Sequence, residues 1–202
     1  MNNIVFFDDC LVNMRNYPDN CFDLAVVDPE FGIGIGNSPR LVTDKGLTAK
    51  KWDNKPISME YFDELFRISK NQIIWGGNYY PLPATKHCII WDKRQPEKLS
   101  FGMFDYAWTS FDGSNKIFRY SVLLEKNKIH PTQKPVQLYS WIYRNYLPEG
   151  GKVIDTHLGS GSNRIAAYRT GNIDFVGFEN DKDYYDAQEK RFQNYKLQPE
   201  LW

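Results

Sequence analysis

Short apolar runs alternate with segments of helical periodicity along most of the chain. Strands are predicted for the runs at residues 4–7, 24–27, 72–75, 87–91, 106–111, 117–121, 152–155 and 174–178. Helices are predicted at residues 11–15, after Ser58, at 135–147, after Ser162 and from Asp181. The run at 24–27 is almost wholly apolar, which is typical of a strand covered on both faces. Repeated strand–helix units of this kind favour an α/β doubly wound sheet, mostly parallel, in a single domain of residues 1–202.

Two segments depart from this alternation. Residues 106–111 and 117–121 flank Asp112-Gly113, a dipeptide typical of tight turns, so we expect them to form an antiparallel hairpin. Residues 32–56 combine glycines, prolines and charges with little periodicity, which predicts a long loop. Loops of that length are usually functional or mobile.

Composition and charge limit the class of protein. Of the 202 residues, 42% are hydrophobic and 16% aromatic, as expected for an ordered globular protein. The 25 basic residues balance the 25 acidic ones, which argues against nucleic-acid binding by bulk electrostatics alone but leaves room for a local basic patch. Three scattered cysteines lack the spacing of metal ligands, so we expect no metal. The polar N-terminus and the lack of an apolar run near 18 residues argue against a membrane or secreted protein and favour a cytoplasmic one.

A candidate base-binding turn follows the second predicted strand. Asp28, Pro29, Glu30 and Phe31 come directly after the apolar run at residues 24–27. A carboxylate and a backbone carbonyl can accept hydrogen bonds from an exocyclic amino group, while an aromatic ring stacks on the face of a base. Taken alone, such a tetrapeptide is more often an ordinary strand-to-loop turn, so its interpretation depends on the rest of the chain.

A second motif has the form of a nucleoside-cofactor site. A strand that ends at Asp155 leads into the Gly-rich segment 156–161, and Ser162 is expected to cap the following helix. The glycines would let the backbone approach a ligand closely. Another strand ends 24 residues further on at Glu179, whose carboxylate can accept hydrogen bonds from two ribose hydroxyls. The spacing excludes a Walker-type loop, whereas NAD binding stays open from these residues alone.

Three segments together resemble one family. Residues 130–135 read His-Pro-Thr-Gln-Lys-Pro, and with the segments 28–31 and 155–162 they resemble the S-adenosylmethionine-dependent amino-methyltransferases that act on DNA. The order, with the catalytic motif first and the Gly-rich motif last, is similar to the β class. Residues 72–78 and 155–162 resemble a small bacterial and phage subgroup. The resemblance implies a Rossmann-like methyltransferase fold, S-adenosylmethionine as cofactor, DNA as partner and, from Asp28, N6-methyladenine as product.

The resemblance also implies roles for individual residues. Asp28 and the Pro29 carbonyl would accept from the amino group, and Phe31 would stack on the flipped base. The residues implied at the cofactor are Asp9 near the adenine (with Asp8 as the alternative), Glu179 at the ribose, Asp155, Gly159, Ser160 and Gly161 at the methionine part, and Thr132 and Lys134 in a segment that closes over it. We expect His130 to be a structural hydrogen-bonding residue, and no role is implied for His157 or His87.

Glu30 departs from the family pattern, which has a second proline at this position. Proline fixes φ and stiffens the turn that directs the carbonyl, whereas Glu30 brings a second carboxylate next to Asp28. If both point inward, their repulsion raises one of the two pKa values. Two alternatives stay open: an active adenine methyltransferase, and a catalytically silent protein of the same fold that binds cofactor or DNA. An NAD-dependent oxidoreductase ranks last, because segment 130–135 would have no role in it.

Little of the chain is left for reading a DNA sequence. The expected recognition element is a loop at about 36–56, with residues 93–104 as a further candidate. Positive charges that could pair with phosphates there are Arg40, Lys45, Lys50, Lys51, Lys55, Lys93, Arg94 and Lys98. Each of them is equally well explained as a solvated loop charge. So short an element implies a brief target sequence, or a homodimer that combines two surfaces.

Overall fold

The computed structural model describes residues 1–37, 50–98 and 102–198. Within these residues, the strands are β1 (Asn3–Phe7), β2 (Leu24–Val27), β3 (Gln72–Trp75), β4 (Cys88–Asp92), β5 (Phe104–Thr109), β6 (Lys116–Arg119), β7 (Gly151–Asp155) and β8 (Ile173–Glu179). The α-helices are α1 (Cys10–Met14), α2 (Met59–Ile68), α3 (Val136–Tyr146), α4 (Ser162–Thr170) and α5 (Lys182–Leu197). None of the described helices is long and apolar enough to cross a membrane.

The strands form one sheet in the order β1-β8-β7-β2-β3-β5-β4-β6. The first five strands of this order pair in parallel, as expected for a doubly wound sheet. β5 lies antiparallel between β3 and β4. The prediction of a mostly parallel α/β sheet that includes an antiparallel strand is therefore confirmed.

The predicted hairpin across Asp112-Gly113 is wrong. β6 pairs in parallel with β4, with Ile117 opposite Ile90, and it does not pair with β5. Both edges of β5 are already occupied, by β3 on one side and β4 on the other. The free edge belongs to β4, so the chain between β5 and β6 must pass β4 instead of turning back on itself.

Polar side chains begin two of the predicted helices, and a glycine begins a third. The Ser58 hydroxyl and the Asp181 carboxylate accept hydrogen bonds from the first backbone amides of α2 and α5. The capping role expected for Ser162 is wrong, because Ser162 is already the first residue of α4. Gly161 occupies the N-cap position with φ of 71°, a left-handed conformation that favours glycine.

Apolar side chains cover both faces of the sheet. Leu24 and Val26 of β2 pack in one cluster with residues of α3 and α4, while Ala25 and Val27 pack in another with residues of α1 and α2. This alternation explains why β2 is apolar throughout. It also fixes the carboxyl end of β2 in the middle of the sheet, beside β7, and open α/β sheets bind ligands at such carboxyl ends.

Candidate active site

A pocket opens where the carboxyl ends of β1, β2, β7 and β8 meet. Its lining brings together the turn after β2, the segment 130–134, the turn after β7 and the end of β8. The predicted site residues that line it are Asp28, Pro29, Phe31, Thr132, Lys134, Gly159, Ser160 and Glu179. Segments that are far apart in the sequence therefore form one site, and the three other predicted residues, Asp9, Asp155 and Gly161, lie outside this lining.

Asp8, and not Asp9, faces the pocket. The Asp9 carboxylate caps α1, where Oδ1 accepts hydrogen bonds from the backbone amides of Leu11 and Val12 at 2.8 and 3.3 Å. Asp8 lines the pocket, and its carboxylate accepts a hydrogen bond from the Asp9 amide at 2.8 Å. Of the two residues considered for a place near the cofactor adenine, the geometry favours the alternative, Asp8, because the Asp9 carboxylate is engaged at the helix start.

Lys134 holds the Asp28 carboxylate. Its Nζ forms an ion pair with Asp28 Oδ2 and lies 5.3 Å from the centre of the Trp75 ring. The Lys134 side chain is 4% exposed and that of Asp28 is 19% exposed. Burial raises the pKa of Asp28, and the charge of Lys134 opposes this rise. Lys134 also lines the pocket, so its expected place over the methionine end of a cofactor stays a prediction, to which the structure adds the ion pair with Asp28.

The second oxygen of Asp28 is a free acceptor. Oδ1 is buried and has no hydrogen-bond partner among the residues that the structure describes. A buried acceptor without a donor is unfavourable, and such atoms in native structures usually have a functional reason. Oδ1 therefore marks the point of the pocket where a donor from a ligand would bind.

Tyr80 orients the backbone of the turn at residues 28–31, the candidate catalytic turn. Its hydroxyl donates to the Pro29 carbonyl at 2.9 Å and to the Glu30 carbonyl at 3.2 Å. Burial, and then the charges of Asp28 and Glu30, raise the pKa of Tyr80 far above its ordinary value, so the hydroxyl remains a donor. Sequence reasoning missed this residue, because a tyrosine in a loop after a strand belongs to no recognisable motif.

Phe31 is fixed by its neighbours. Its ring stacks on Tyr79 with a centroid distance of 4.8 Å and an angle of 15° between the planes. It also lies over Gly76, where an added Cβ would come within 2.1 Å of the ring. Gly76 has φ of 69°, so both its conformation and the space above it require glycine. The aromatic side chain of this candidate catalytic turn is thus held in one place.

Glu30 has a partner that the sequence did not reveal. Its Oε2 lies 3.0 Å from His157 Nε2, without the alignment of a hydrogen bond, and the side chains are 18% and 14% exposed. Burial acts to raise the pKa of Glu30, but His157 outweighs it and the pKa lies below its ordinary value. Burial acts to lower the pKa of His157, but Glu30 outweighs it and the pKa lies above its ordinary value. Asp28 and Glu30 therefore each lie against a basic side chain of their own, Lys134 and His157 respectively.

The Gly-rich turn is tied to the end of β8 through Glu179. The Gly159 amide donates to Glu179 Oε2 at 2.7 Å, and the Asp181 amide donates to Oε1 at 2.9 Å. Gly159 adopts φ of 52°, which suits the tight turn after β7. Burial raises the pKa of Glu179. The carboxylate is thereby held at the pocket wall between the two loops that follow β7 and β8.

Asp155 supports the Gly-rich turn from behind the pocket. It is 2% exposed and accepts hydrogen bonds from Asn163 Nδ2 at 2.9 Å and from the His157 amide at 3.1 Å. Burial raises the pKa of Asp155 to about 6. Gly161 contributes in the same way, through the left-handed turn that begins α4. These two predicted residues shape the site without lining it.

His130 and Thr132 form another wall of the pocket. The Thr132 hydroxyl lies 3.1 Å from His130 Nδ1, and the His130 ring packs against Tyr184 and Trp52 at centroid distances of 4.3 and 5.2 Å. Burial lowers the pKa of His130 to about 3, so the ring is neutral at physiological pH. The structural role expected for His130 agrees with these contacts.

Asp53, which sequence reasoning also missed, holds the loop that follows the catalytic turn. It is fully buried, and its two carboxylate oxygens accept hydrogen bonds from the amides of Gly32 and Ile35, each at 2.9 Å. Its carbonyl accepts from the Gly34 amide at 2.8 Å. An aspartate within an irregular, charged segment gives no sequence signal of such a role.

The predicted DNA-contacting charges have different surroundings. Arg40 and Lys45 lie outside the described residues. Lys50 forms ion pairs with Asp181 and Asp183, so its charge is already compensated within the protein. The same holds for Lys93, which pairs with Asp105 at 2.6 Å. The side chains that remain exposed are those of Lys51, Lys55, Arg94 and Lys98. Within the described part of the chain, no cluster of His, Cys, Asp or Glu could hold a metal ion.

Comparisons with known proteins agree on the kind of molecule. The family model for DNA methylase matches residues 74–190, which is more than half of the chain. "Putative methylase YubD" of Escherichia coli (strain K12) is 22% identical over 204 residues, covering 91% of this chain and 87% of that protein. The M1.HpyAVI-SAM complex matches with a TM-score of 0.65 and 17% identity, covering 93% of this chain and 98% of that one. PvuII DNA methyltransferase (cytosine-N4-specific) matches with a TM-score of 0.65 and 14% identity, covering 100% and 88%. The two structural likenesses show a Rossmann-like methyltransferase fold.

Proposed function

Because the chain belongs to the DNA methylase family, we propose that it transfers the methyl group of S-adenosylmethionine to the N6 amino group of adenine in DNA. The observation that carries the proposal is the pair of acceptors at the end of β2. Asp28 Oδ1 is buried without a donor within the described residues, and the Pro29 carbonyl follows it along the same turn. An exocyclic amino group has two hydrogens to donate, so two adjacent acceptors suit it.

The charge of the pocket suits this cofactor, which carries a sulfonium and an ammonium group against one carboxylate. The acidic side chains of the lining are Asp8, Asp28, Glu30, Asp53, Glu179 and Asp181. Lys134, His130 and His157 are the basic ones among the described lining residues. An acid-rich pocket supports binding of a cationic ligand. When bound, the cofactor supplies an electrophilic methyl group on a leaving group that needs no acid.

Each cofactor-binding residue has a position from which it would act. Glu179 would accept from the ribose hydroxyls, as acids at the end of this strand do in dinucleotide sites, and Asp8 would lie near the adenine. Gly159 and Ser160 would present the turn to the methionine part, and Thr132 would close over it. Asp155 and Gly161 would act indirectly, by holding the turn in shape.

The protein's part in the reaction is to orient the amino group. An aromatic amine is a weak nucleophile because its lone pair is delocalised into the ring. Asp28 Oδ1 and the Pro29 carbonyl would draw its two hydrogens and favour a more tetrahedral nitrogen, whose lone pair then points at the methyl group. Lys134 would keep Asp28 ionised despite burial, and Tyr80 would keep the carbonyl in place.

The target base would bind beside this turn after leaving the DNA helix. Phe31 and Tyr79 line a groove together with Phe104 and Tyr106, and Lys134 lies at its junction with the pocket. Aromatic walls of this kind support stacking of a planar base. Adenine N6 and cytosine N4 are both exocyclic amino groups. The choice of adenine rests on Asp28, because the resemblance to the amino-methyltransferases associates Asp at this position with adenine.

We further propose how the chain meets DNA. It would act as a single cytoplasmic domain, with the loop at about 36–56 as its recognition element. The exposed cations Lys51, Lys55, Arg94 and Lys98 would contact phosphates. Because the net charge is zero and these cations are few, a homodimer that combines two surfaces is the favoured assembly.

The proposal is tested by methyl transfer from labelled S-adenosylmethionine to unmodified plasmid DNA, followed by identification of the modified base. We expect N6-methyladenine; N4-methylcytosine would contradict the choice of base. Asp28→Ala should abolish methyl transfer while calorimetry shows near-normal cofactor affinity. Asp63→Ala, at an exposed position of α2, is the control, and it should leave both methyl transfer and cofactor affinity unchanged. A wild-type protein that binds the cofactor but transfers nothing would favour the silent alternative.

A further inference from the structure

Glu30 and His157 join the two turns that build the pocket. Glu30 lies in the catalytic turn after β2, and His157 lies in the Gly-rich turn after β7. Glu30 Oε2 and His157 Nε2 are 3.0 Å apart, and both side chains are largely shielded from solvent. Neither residue is one of the two amino-group acceptors, so the reaction as proposed leaves the pair without a role.

The His157 ring is anchored on its other side as well. Its Nδ1 lies 2.9 Å from Thr156 Oγ1, which in turn lies 2.6 Å from the hydroxyl of the fully buried Tyr61 on α2. A protonated imidazole has a donor at each nitrogen, whereas a neutral ring has only one. The Thr156 hydroxyl can donate or accept, so its contact with Nδ1 suits either form of the ring, whereas only the protonated ring carries a charge opposite to that of Glu30.

Glu30 is held through its backbone too. Its carbonyl accepts hydrogen bonds from the Tyr80 hydroxyl at 3.2 Å and from the Ile57 amide at 3.3 Å. Proline at this position would stiffen the turn through its ring. Here the turn is restrained instead by contacts to three other parts of the fold.

We propose that Glu30 and His157 are positioning residues: the His157 imidazolium holds the Glu30 carboxylate and thereby fixes the catalytic turn against the Gly-rich turn. That the pair positions the Pro29 carbonyl next to the methyl donor is an inference that rests on the proposed function. The contact itself does not, and it can be measured without methyl transfer. The pair also gives the Glu30 carboxylate a counter-ion, which limits its repulsion of Asp28.

Several charged or titratable groups face the pair from the surrounding elements. They are Asp28, Asp155 and Glu179 at the ends of β2, β7 and β8, Cys10 on α1, Tyr61 on α2 and, through Asp28, Lys134. Burial raises the pKa of Cys10, which stays an uncharged thiol. The carboxylates that face His157 raise its pKa and so favour the protonated form, which is the form that carries a charge opposite to that of Glu30.

The test is an NMR titration of the full chain, following the His157 ring and the backbone amides of Glu30 and Phe31. In the wild type we expect His157 to titrate above its ordinary range and the two amides to follow the same midpoint. Glu30→Gln should lower the His157 midpoint by about one pH unit or more. In His157→Gln the two amides should lose this titration. A His157 midpoint unchanged in Glu30→Gln, or turn amides that do not follow it, would overturn the proposal.

The double variant Glu30→Gln/His157→Gln covers the case in which a single variant fails to fold. It leaves no unpaired charge, so it should fold even if either single variant does not, and that pattern would itself support the pair. A double variant that is less stable than both single variants would contradict it.

Steady-state kinetics distinguish a positioning role of Glu30 and His157 from a role in stability alone. At saturating cofactor and DNA, wild-type kcat should fall as the pH rises through the His157 midpoint, and each single variant should lose about tenfold in kcat with little change in KM. Glu189→Gln breaks the half-buried Arg164–Glu189 pair outside the pocket, and should leave kcat and its pH profile unchanged. Glu30→Gln with lower stability but wild-type kcat would overturn positioning. A wild-type protein that transfers no methyl group would refute the methyltransferase function instead. The NMR titration of the two amides would then decide by itself whether His157 holds Glu30.

Discussion

Replacing Lys134 with methionine tests the ion pair that holds Asp28. Removing one partner of a buried pair costs about 3–5 kcal/mol, because the other charge stays buried without compensation. Lys134 is almost fully buried and Asp28 is 19% exposed, so we expect a loss of about 3 kcal/mol in the free energy of unfolding, at the lower end of this range. Methionine keeps an apolar contact with Trp75 and nearly the same volume, so the loss reports the charge and not a cavity.

The same change should alter the pH dependence of methyl transfer. Burial raises the pKa of Asp28 and Lys134 opposes the rise, so removing the lysine raises the pKa further. A protonated Asp28 accepts less well from the amino group, so kcat should fall with decreasing pH at a higher pH in Lys134→Met than in the wild type. The measurements are urea unfolding and kcat at saturating cofactor across the acid range.

The double variant Asp28→Asn/Lys134→Met is the matched control. It removes both charges, so it should recover most of the unfolding free energy that Lys134→Met loses, although it transfers no methyl group. Lys134→Met with wild-type stability and a wild-type pH profile would refute the reasoning, since the lysine would then have no effect on the charge of Asp28.

Three further predictions address other parts of the site. Tyr80→Phe removes the donor to the carbonyls of the catalytic turn and should lower kcat about tenfold, or about 1.4 kcal/mol, with unchanged cofactor affinity by calorimetry; an unchanged kcat would mean that the turn holds itself. Asp8→Ala should weaken cofactor binding, whereas Asp9→Ala should leave it intact and cost about 1 kcal/mol of stability through the lost helix cap; the reverse pattern would assign the cofactor to Asp9. Burial raises the pKa of Asp155 from 3.8 to about 6, so ionised Asp155 disfavours the fold by about 3 kcal/mol at neutral pH, and this contribution should fade as the pH falls through 6 towards 4. Asp155→Asn should lack this component in urea unfolding across that range, and an identical pH slope would contradict it.

The fold could be predicted from the sequence, and so could the grouping of residues 28–31, 130–135 and 155–162 in one site. Both depend on patterns that are local in the sequence. Apolar runs separated by helical segments define parallel strands, and the carboxyl ends of such strands share one edge of the sheet. The pairing of β6 could not be predicted in this way. Asp112-Gly113 is a local turn signal, whereas the partner of β6 depends on which strand has a free edge.

The contacts within the site depend on parts of the chain that are distant in sequence. His157 stands in a recognisable turn, but its partner Glu30 lies far away along the chain, and only the fold brings them together. Tyr80 and Asp53 belong to loops without a motif. The choice between Asp8 and Asp9 depends on which of them begins α1, and helix boundaries are uncertain by one or two residues even in known structures.

The neighbouring positions of β2 and β7 in the sheet have a consequence for the order in which the molecule is made. During synthesis, Asp28 and Glu30 leave the ribosome well before Lys134 and His157, the cations that compensate them. At about 5–20 residues per second, the interval lasts several seconds or more. Until β7 is available to complete the middle of the sheet, the turn after β2 has neither its neighbouring strand nor His157, and the pocket lacks the wall that the Gly-rich turn provides. Methyl transfer therefore cannot begin on a partly made chain, and the site forms as a unit when β7 and β8 join the sheet.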